Sequence, residues 1–193
     1  MILLVCNPKA ASTSLRKALA GHVINDFSDK TKVHRSIWEW AELYDMTDVK
    51  SLGVCRHPVD RFISAYWYFM KVRNHRITSW EATLEACLQG RSINEFVQSE
   101  GPELLAQCAL HFMPQCHFLK PGYEGVDRVA RFESLEKDLN EIFCEWGIEV
   151  DSIPKLNVSE NQDLEKLTDR NARKIEWLYA QDMNEFGYDL WKG

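Results

Sequence analysis

The chain lacks the short strings that assign many proteins at once. No apolar run approaches the about 20 residues that cross a bilayer, so no membrane span is expected. The apolar segment 2–6 is too short, and too quickly followed by polar residues, to be a secretory signal. There is no HExxH, no CxxC pair and no acidic calcium loop, and no metal is expected. The GxxxxGK[ST] loop of nucleotide kinases is also absent. Nothing reads as a linker or a repeat. With 193 residues, 45% of them hydrophobic, the chain suits one core, and a single domain over 1–193 is expected. The six cysteines, Cys6, Cys55, Cys87, Cys108, Cys116 and Cys144, read as buried free thiols in a reducing compartment.

The net charge of -6 is unevenly spread. Between residues 50 and 76 the bases Lys50, Arg56, Arg61, Lys71, Arg73 and Arg76 face one acid, Asp60, whereas between 133 and 189 acids outnumber bases more than two to one. The basic segment suits a multiply charged small anion. The acidic remainder would repel a long polyanion, and the basic stripe is too confined for nucleic acid.

What is present begins with VCNPKAASTSLRKAL from Val5. Residues 2–6 read as a buried strand and Leu15, Ala18 and Leu19 recur at helical spacing, so a strand-to-helix turn lies between them. Such a turn presents backbone N–H groups without intrahelical partners at the positive end of the helix dipole, which suits an oxyanion. Lys9 adds charge, and Ser12, Thr13 and Ser14 add hydroxyls. The same residues also suit an ordinary N-cap and a solvated lysine.

A second segment, SLGVCRHPVDRFISAYWYF from Ser51, repeats the pattern. Residues 52–55 read as a strand, Pro58 opens a helix, and Arg56 leaves the strand end. Ser64 follows eight residues later, about two turns along that helix. If the two strands are parallel neighbours, their carboxyl ends share a crevice in which Arg56 meets a second anionic group. An ion pair with Asp60 is the alternative use of Arg56.

Together these residues resemble the sulfotransferases. PKAASTSL looks like their 5′-phosphosulfate loop, and Arg56 with Ser64 looks like their 3′-phosphate motif. HFMPQ from His111, RFESLEKDL from Arg131, LNVSEN from Leu156 and LYAQDMNEFGY from Leu178 resemble the carbohydrate, uronyl 2-O-like branch in the same order. One departure stands at residue 11, commonly glycine in the family and Ala11 here. A methyl group there is expected to limit backbone approach to the phosphate without needing a positive φ.

The alternation of elements argues for an α/β fold, and the resemblance implies three layers: a P-loop-like central parallel sheet flanked by helices. Strands are expected over 2–6, 52–55, 117–119 and 126–131, and helices over 12–20, 59–73, 135–146 and 172–184. The longest connections fall near 71–79, 90–103 and 155–163, where loops suit closure over an acceptor. Most of Trp38, Trp40, Trp67 and Trp80 are expected in the core.

The resemblance implies transfer of a sulfuryl group from 3′-phosphoadenosine-5′-phosphosulfate (PAPS) to a hydroxyl of a glycan or small-molecule acceptor. The donor would be held by Lys9, Ala10, Ala11, Ser12, Thr13, Ser14, Arg56 and Ser64. Lys9 would stabilise charge on the departing oxygen, by analogy with phosphoryl transfer. His34 titrates near neutrality and lies between the two motifs, where the uronyl branch carries its histidine base. Glu39 and Glu42 are the alternatives, since other branches use a glutamate, and His34 also reads as a surface residue of KVHR. His57, His75, His111 and His117 have weaker claims. LNVSENQ is expected near the adenosine. Animal relatives are Golgi membrane enzymes, so a chain without an anchor suggests a bacterial cytoplasmic enzyme or a trimmed lumenal domain. Two other functional classes fit the cradle: a nucleotide-dependent kinase and a non-catalytic adenosine bisphosphate binder.

Overall fold

Three short parallel strands position everything that follows. The computed structural model describes residues 1–28, 33–72, 88, 90–150 and 165–193. Among them, in chain order, lie β1 (Ile2–Val5), α1 (Ser12–Ala18), α2 (Ile37–Ala41), β2 (Lys50–Cys55), α3 (Pro58–Val72), α4 (Ile93–Gln98), α5 (Gly101–Cys108), α6 (Gln115–Leu119), β3 (Arg128–Arg131), α7 (Leu135–Trp146), α8 (Asp169–Leu178) and α9 (Ala180–Glu185). The chain divides into two compact units, Met1–Arg56 with Gln115–Ser159 and His57–Pro114 with Glu160–Gly193.

The first unit holds the sheet, in the order β1-β2-β3. Val5 pairs with Gly53, and Cys55 with Arg131, so the carboxyl ends of all three strands face one edge. Every residue of β1 is buried, as a strand covered on both faces requires. One face, formed by Ile2, Leu4, Leu52, Val54 and Ala130, packs on Leu15 and Leu19 and on Leu139, Ile142 and Phe143 of α7. The other is covered by α6, whose Leu119 lies so close to Gly53 that a Cβ there would stand 2.4 Å from Leu119 Cδ2. Glycine at 53 is what admits the third layer. The chain is thus α/β, with a parallel sheet between helices.

A buried carboxamide locks two strand ends together. Gln115 Oε1 accepts from Asn7 Nδ2 at 2.7 Å and from Arg56 N at 2.9 Å, while its Nε2 donates to Arg56 O at 2.8 Å. Asn7 Nδ2 also donates to Val54 O at 3.1 Å. Gln115 is fully buried and Asn7 nearly so, which makes these bonds costly to lose.

The second unit is helical. Val59, Phe62, Ala65 and Tyr66 of α3 pack with Phe96, Phe112, Ile175 and Tyr179. Arg61 is buried among them at 1% exposure. Its Nη1 donates to His111 O at 3.2 Å and its Nη2 to Met113 O at 2.6 Å, and the guanidinium lies 5.5 Å from the Tyr179 ring. His57 sits at the start of α3 with Nδ1 accepting from Val59 N at 3.3 Å and Nε2 donating to Asp189 O at 3.0 Å.

Several sequence expectations are corrected here. Residues 117–119 are not a strand but part of α6: a short buried apolar run has no periodicity to tell the two apart, and the Lys120 N to Cys116 O bond closes a helical turn. The last strand starts at Arg128, not 126, because Asp127 turns its carboxylate onto Ser51 N and Oγ at 2.6 and 2.7 Å. The helix expected over 172–184 is two helices that meet at Tyr179, whose hydroxyl donates to Phe112 O at 2.5 Å. Residues 90–103, read as a loop, carry α4 and the start of α5. Arg61, counted among the bases of residues 50–76, lies in the core; Cys108 and Cys144, expected to be buried, are exposed, while Cys6, Cys55 and Cys116 are buried. Trp40 is buried, Trp67 partly so, and Trp38 is 51% exposed. Cys87, His75, Trp80 and the LNVSENQ segment lie outside the described residues.

Replacing Gln115 with leucine keeps the volume but strands the Arg56 backbone and one Asn7 bond. It is expected to cost about 3 kcal/mol, from the 1–3 kcal/mol typical of each buried group left unpaired. Urea denaturation measures this, and a loss below about 0.5 kcal/mol would refute the locking role.

Candidate active site

The chain leaves β1 through Cys6 and Asn7 into a turn in which Lys9 has φ 65° and Ala11 has φ 58°. Ala11 is the residue before α1, with ψ 13° and no side-chain cap on the helix. The expectation that a methyl group at 11 needs no positive φ is therefore wrong. A residue with a Cβ in this region costs roughly 1–2 kcal/mol. The turn is held against that cost by Ser12 Oγ, which donates to Asn7 O at 2.7 Å, and by the Asn7 anchors to Gln115 and Val54. Left-handed residues in a turn are a common way of gathering successive backbone N–H groups around an anion, and strain of this kind concentrates at functional sites. The first N–H groups of α1, at Ser12, Thr13 and Ser14, have no intrahelical acceptor.

The side chains of this segment divide in use. The Ser12 hydroxyl closes the turn on itself, Thr13 is exposed, and Ser14 and Ala10 are buried. Burial pushes the Cys6 thiol up to about 12, against smaller opposing effects of the Arg16 charge and the Ser12 hydroxyl. Cys6 is a packing residue, not a nucleophile.

Arg56 leaves β2 beside this turn. Its backbone N and O are both held by Gln115, its Nη1 lies 3.4 Å from Lys9 O, and its guanidinium carbon stands 4.3 Å above the Phe132 ring. The structure thus brings Lys9 and Arg56, more than 40 residues apart in sequence, to adjacent strand ends. Ser64 is half-buried on α3 in the second unit.

His34 joins the same strand end. Its Nδ1 lies 2.7 Å from Cys6 O. A carbonyl only accepts, so Nδ1 carries the hydrogen and the lone pair sits on Nε2. Burial lowers the His34 pKa; the Cys6 bond opposes this, and the Arg16 and Lys9 charges add to it. The ring is therefore neutral at physiological pH, with its tautomer set by the backbone.

The glutamate alternatives are placed differently. Glu39 Oε2 accepts from Ser36 N at 2.7 Å and from Ser36 Oγ at 2.9 Å, forming a capping box at the start of α2. Glu42 is exposed just past the end of α2. Of the other histidines, His57 is tied into the α3 cap, His111 stacks on Tyr68 at 5.2 Å, and His117 is exposed.

Sequence reasoning missed three members of this site. Asn7 was visible only as part of the turn after the first strand and Gln115 only as a letter of HFMPQ, and nothing in their spacing marks them as partners. Phe132 was read as part of RFESLEKDL, yet it begins a 3-10 turn, Phe132–Ser134, at the end of β3.

A family model described as the sulfotransferase family matches residues 3–189. No curated protein matches the chain. Among solved structures, the crystal structure of a sulfotransferase from Alicyclobacillus acidocaldarius is similar at 16% identity, over 98% of this chain and 87% of that one, with a TM-score of 0.38. With a match that runs from the first strand to beyond the last helix, the chain belongs to the sulfotransferase family, and its chemistry is sulfuryl transfer.

Proposed function

We propose that the chain transfers the sulfuryl group of PAPS to a carbohydrate hydroxyl by in-line displacement, as one functional domain over 1–193. The observation that carries this reading is the convergence of Lys9, Arg56 and a neutral His34 on the carboxyl ends of two adjacent parallel strands. Ligands of open α/β sheets bind at that edge.

Each residue then has a task. Lys9, with the backbone N–H groups of Ala10 through Ser14, holds the 5′ side of the donor and neutralises charge as it grows on the departing phosphate oxygen. Arg56 takes the 3′-phosphate with its planar fork. His34 accepts the acceptor proton on Nε2, and the Cys6 carbonyl steadies the imidazolium that forms through Nδ1–H. With Glu39 engaged in capping, His34 is preferred to the glutamates. The S–O bond to the donor phosphate breaks as the bond to the acceptor oxygen forms, and the displaced phosphate leaves as part of adenosine 3′,5′-bisphosphate.

One observation favours a sugar acceptor, and a second limits its charge. The half-exposed Trp38 ring lies against Gly122, where a Cβ would stand 2.7 Å from it, and an open aromatic face suits the apolar face of a pyranose. The acidic surface opposes an acceptor already heavily sulfated. The buried thiols Cys6, Cys55 and Cys116 fit a reducing, cytoplasmic setting. Among the described residues no helix is long and apolar enough to cross a membrane.

Transfer of labelled sulfate from PAPS to a glycan panel tests the reading. Lys9→Ala is expected to lower kcat by at least about a hundredfold, the scale of removing one transition-state donor. Near-normal turnover in that variant would remove Lys9 from the mechanism. The pH dependence carries a separate sign. Because the His34 pKa is lowered, the base is neutral above it, so kcat/KM is expected to hold through neutral pH and fall only as pH drops below 6.5. His34→Gln should lower activity and abolish that acid limb; a limb that survives the substitution would assign the base elsewhere.

A further inference from the structure

We propose that Phe132 is the positioning residue for Arg56, its ring fixing the guanidinium plane and so setting the preference for a nucleotide that carries a 3′-phosphate. The inference rests on the reading of Arg56 as the 3′-phosphate ligand.

The register makes the contact possible. Cys55 pairs with Arg131, so Arg56 and Phe132 are the next residues out of neighbouring parallel strands and emerge side by side. At 4.3 Å from the ring centroid, the guanidinium carbon is well inside cation–π range. The ring itself is held by its backbone: Phe132 opens a 3-10 turn, and the preceding residue, Arg131, donates its N–H to Asp138 Oδ2 at 2.8 Å.

Two further contacts of Arg56 are made by backbone atoms or to its own backbone. Gln115 fixes its backbone on both sides, and Lys9 O lies 3.4 Å from Nη1. A ring lying over the guanidinium carbon restricts the tilt of the guanidinium plane and leaves the N–H groups at its edge, where a phosphate can accept two of them in parallel. At 36% exposure, Phe132 adds modestly to the core, so its position is better accounted for by the cation it carries.

Calorimetric titration of the whole chain with adenosine 3′,5′-bisphosphate and with adenosine 5′-monophosphate separates this role from a structural one. Phe132→Leu is expected to weaken the bisphosphate about fivefold, from a cation–π contact of intermediate exposure, and to leave the monophosphate unchanged. Phe132→Tyr should restore wild-type binding. In an Arg56→Ala background the Phe132→Leu effect should vanish, since nothing remains to be positioned. Equal losses for both nucleotides, or a loss that persists without Arg56, would overturn the inference and show the ring acting on the nucleoside or the fold. If Arg56→Ala itself kept the full preference for the bisphosphate, the assignment of Arg56 would fall first, whatever Phe132 does.

Discussion

The carboxamide of Gln115 is the interaction on which the site depends. One side chain accepts from the Asn7 carboxamide beyond the end of β1 and bonds both backbone groups of Arg56 at the end of β2. Parallel strands end in independent loops, and nothing in a ladder of hydrogen bonds fixes what lies beyond the last pair. A buried group that bonds to two such ends at once couples their positions, and in a dry interior that coupling is stiff. Lys9 and Arg56 are thereby held together before any ligand arrives. Preorganisation of this kind matters for transfer chemistry, because electrostatic stabilisation works best when its donors need not move as charge develops.

The strained turn is the second element of the design. Two residues with Cβ atoms in left-handed conformations cost free energy that the neighbouring bonds must offset. Those bonds come from Asn7 and Ser12, and Asn7 leads back to Gln115. Loop geometry and strand-end geometry therefore depend on one network.

The sequence disclosed what is local more fully than what is distant. The strand-to-helix turns that carry Lys9, the hydroxyl run and Arg56 were legible because strand, turn and helix follow one another within a few residues, and each leaves a local mark in apolar spacing. The strands 2–6 and 52–55 were legible for the same reason. Gln115 was not, since a partner 108 residues from Asn7 leaves no periodic trace. The helix at Gln115–Leu119 looked like a strand because five residues, four of them buried, carry neither period. The break at Tyr179 was invisible because the apolar stripe continues through it, and what interrupts the helix is a hydroxyl bonded to a distant carbonyl. The left-handed Ala11 was masked by its identity: a glycine would have announced the conformation, and an alanine concealed it.

His34 shows how little is needed to fix an imidazole in one tautomer. A carbonyl at the end of β1 chooses the tautomer, and burial keeps the ring uncharged. His57 is fixed in the opposite sense, accepting at Nδ1 and donating at Nε2. The protein therefore holds two imidazoles whose donating ring nitrogens are opposite, each oriented by main-chain atoms. In a nitrogen-15 spectrum the protonated ring nitrogen would be δ in one residue and ε in the other, so each histidine serves as the internal reference against which exchange in its counterpart can be read.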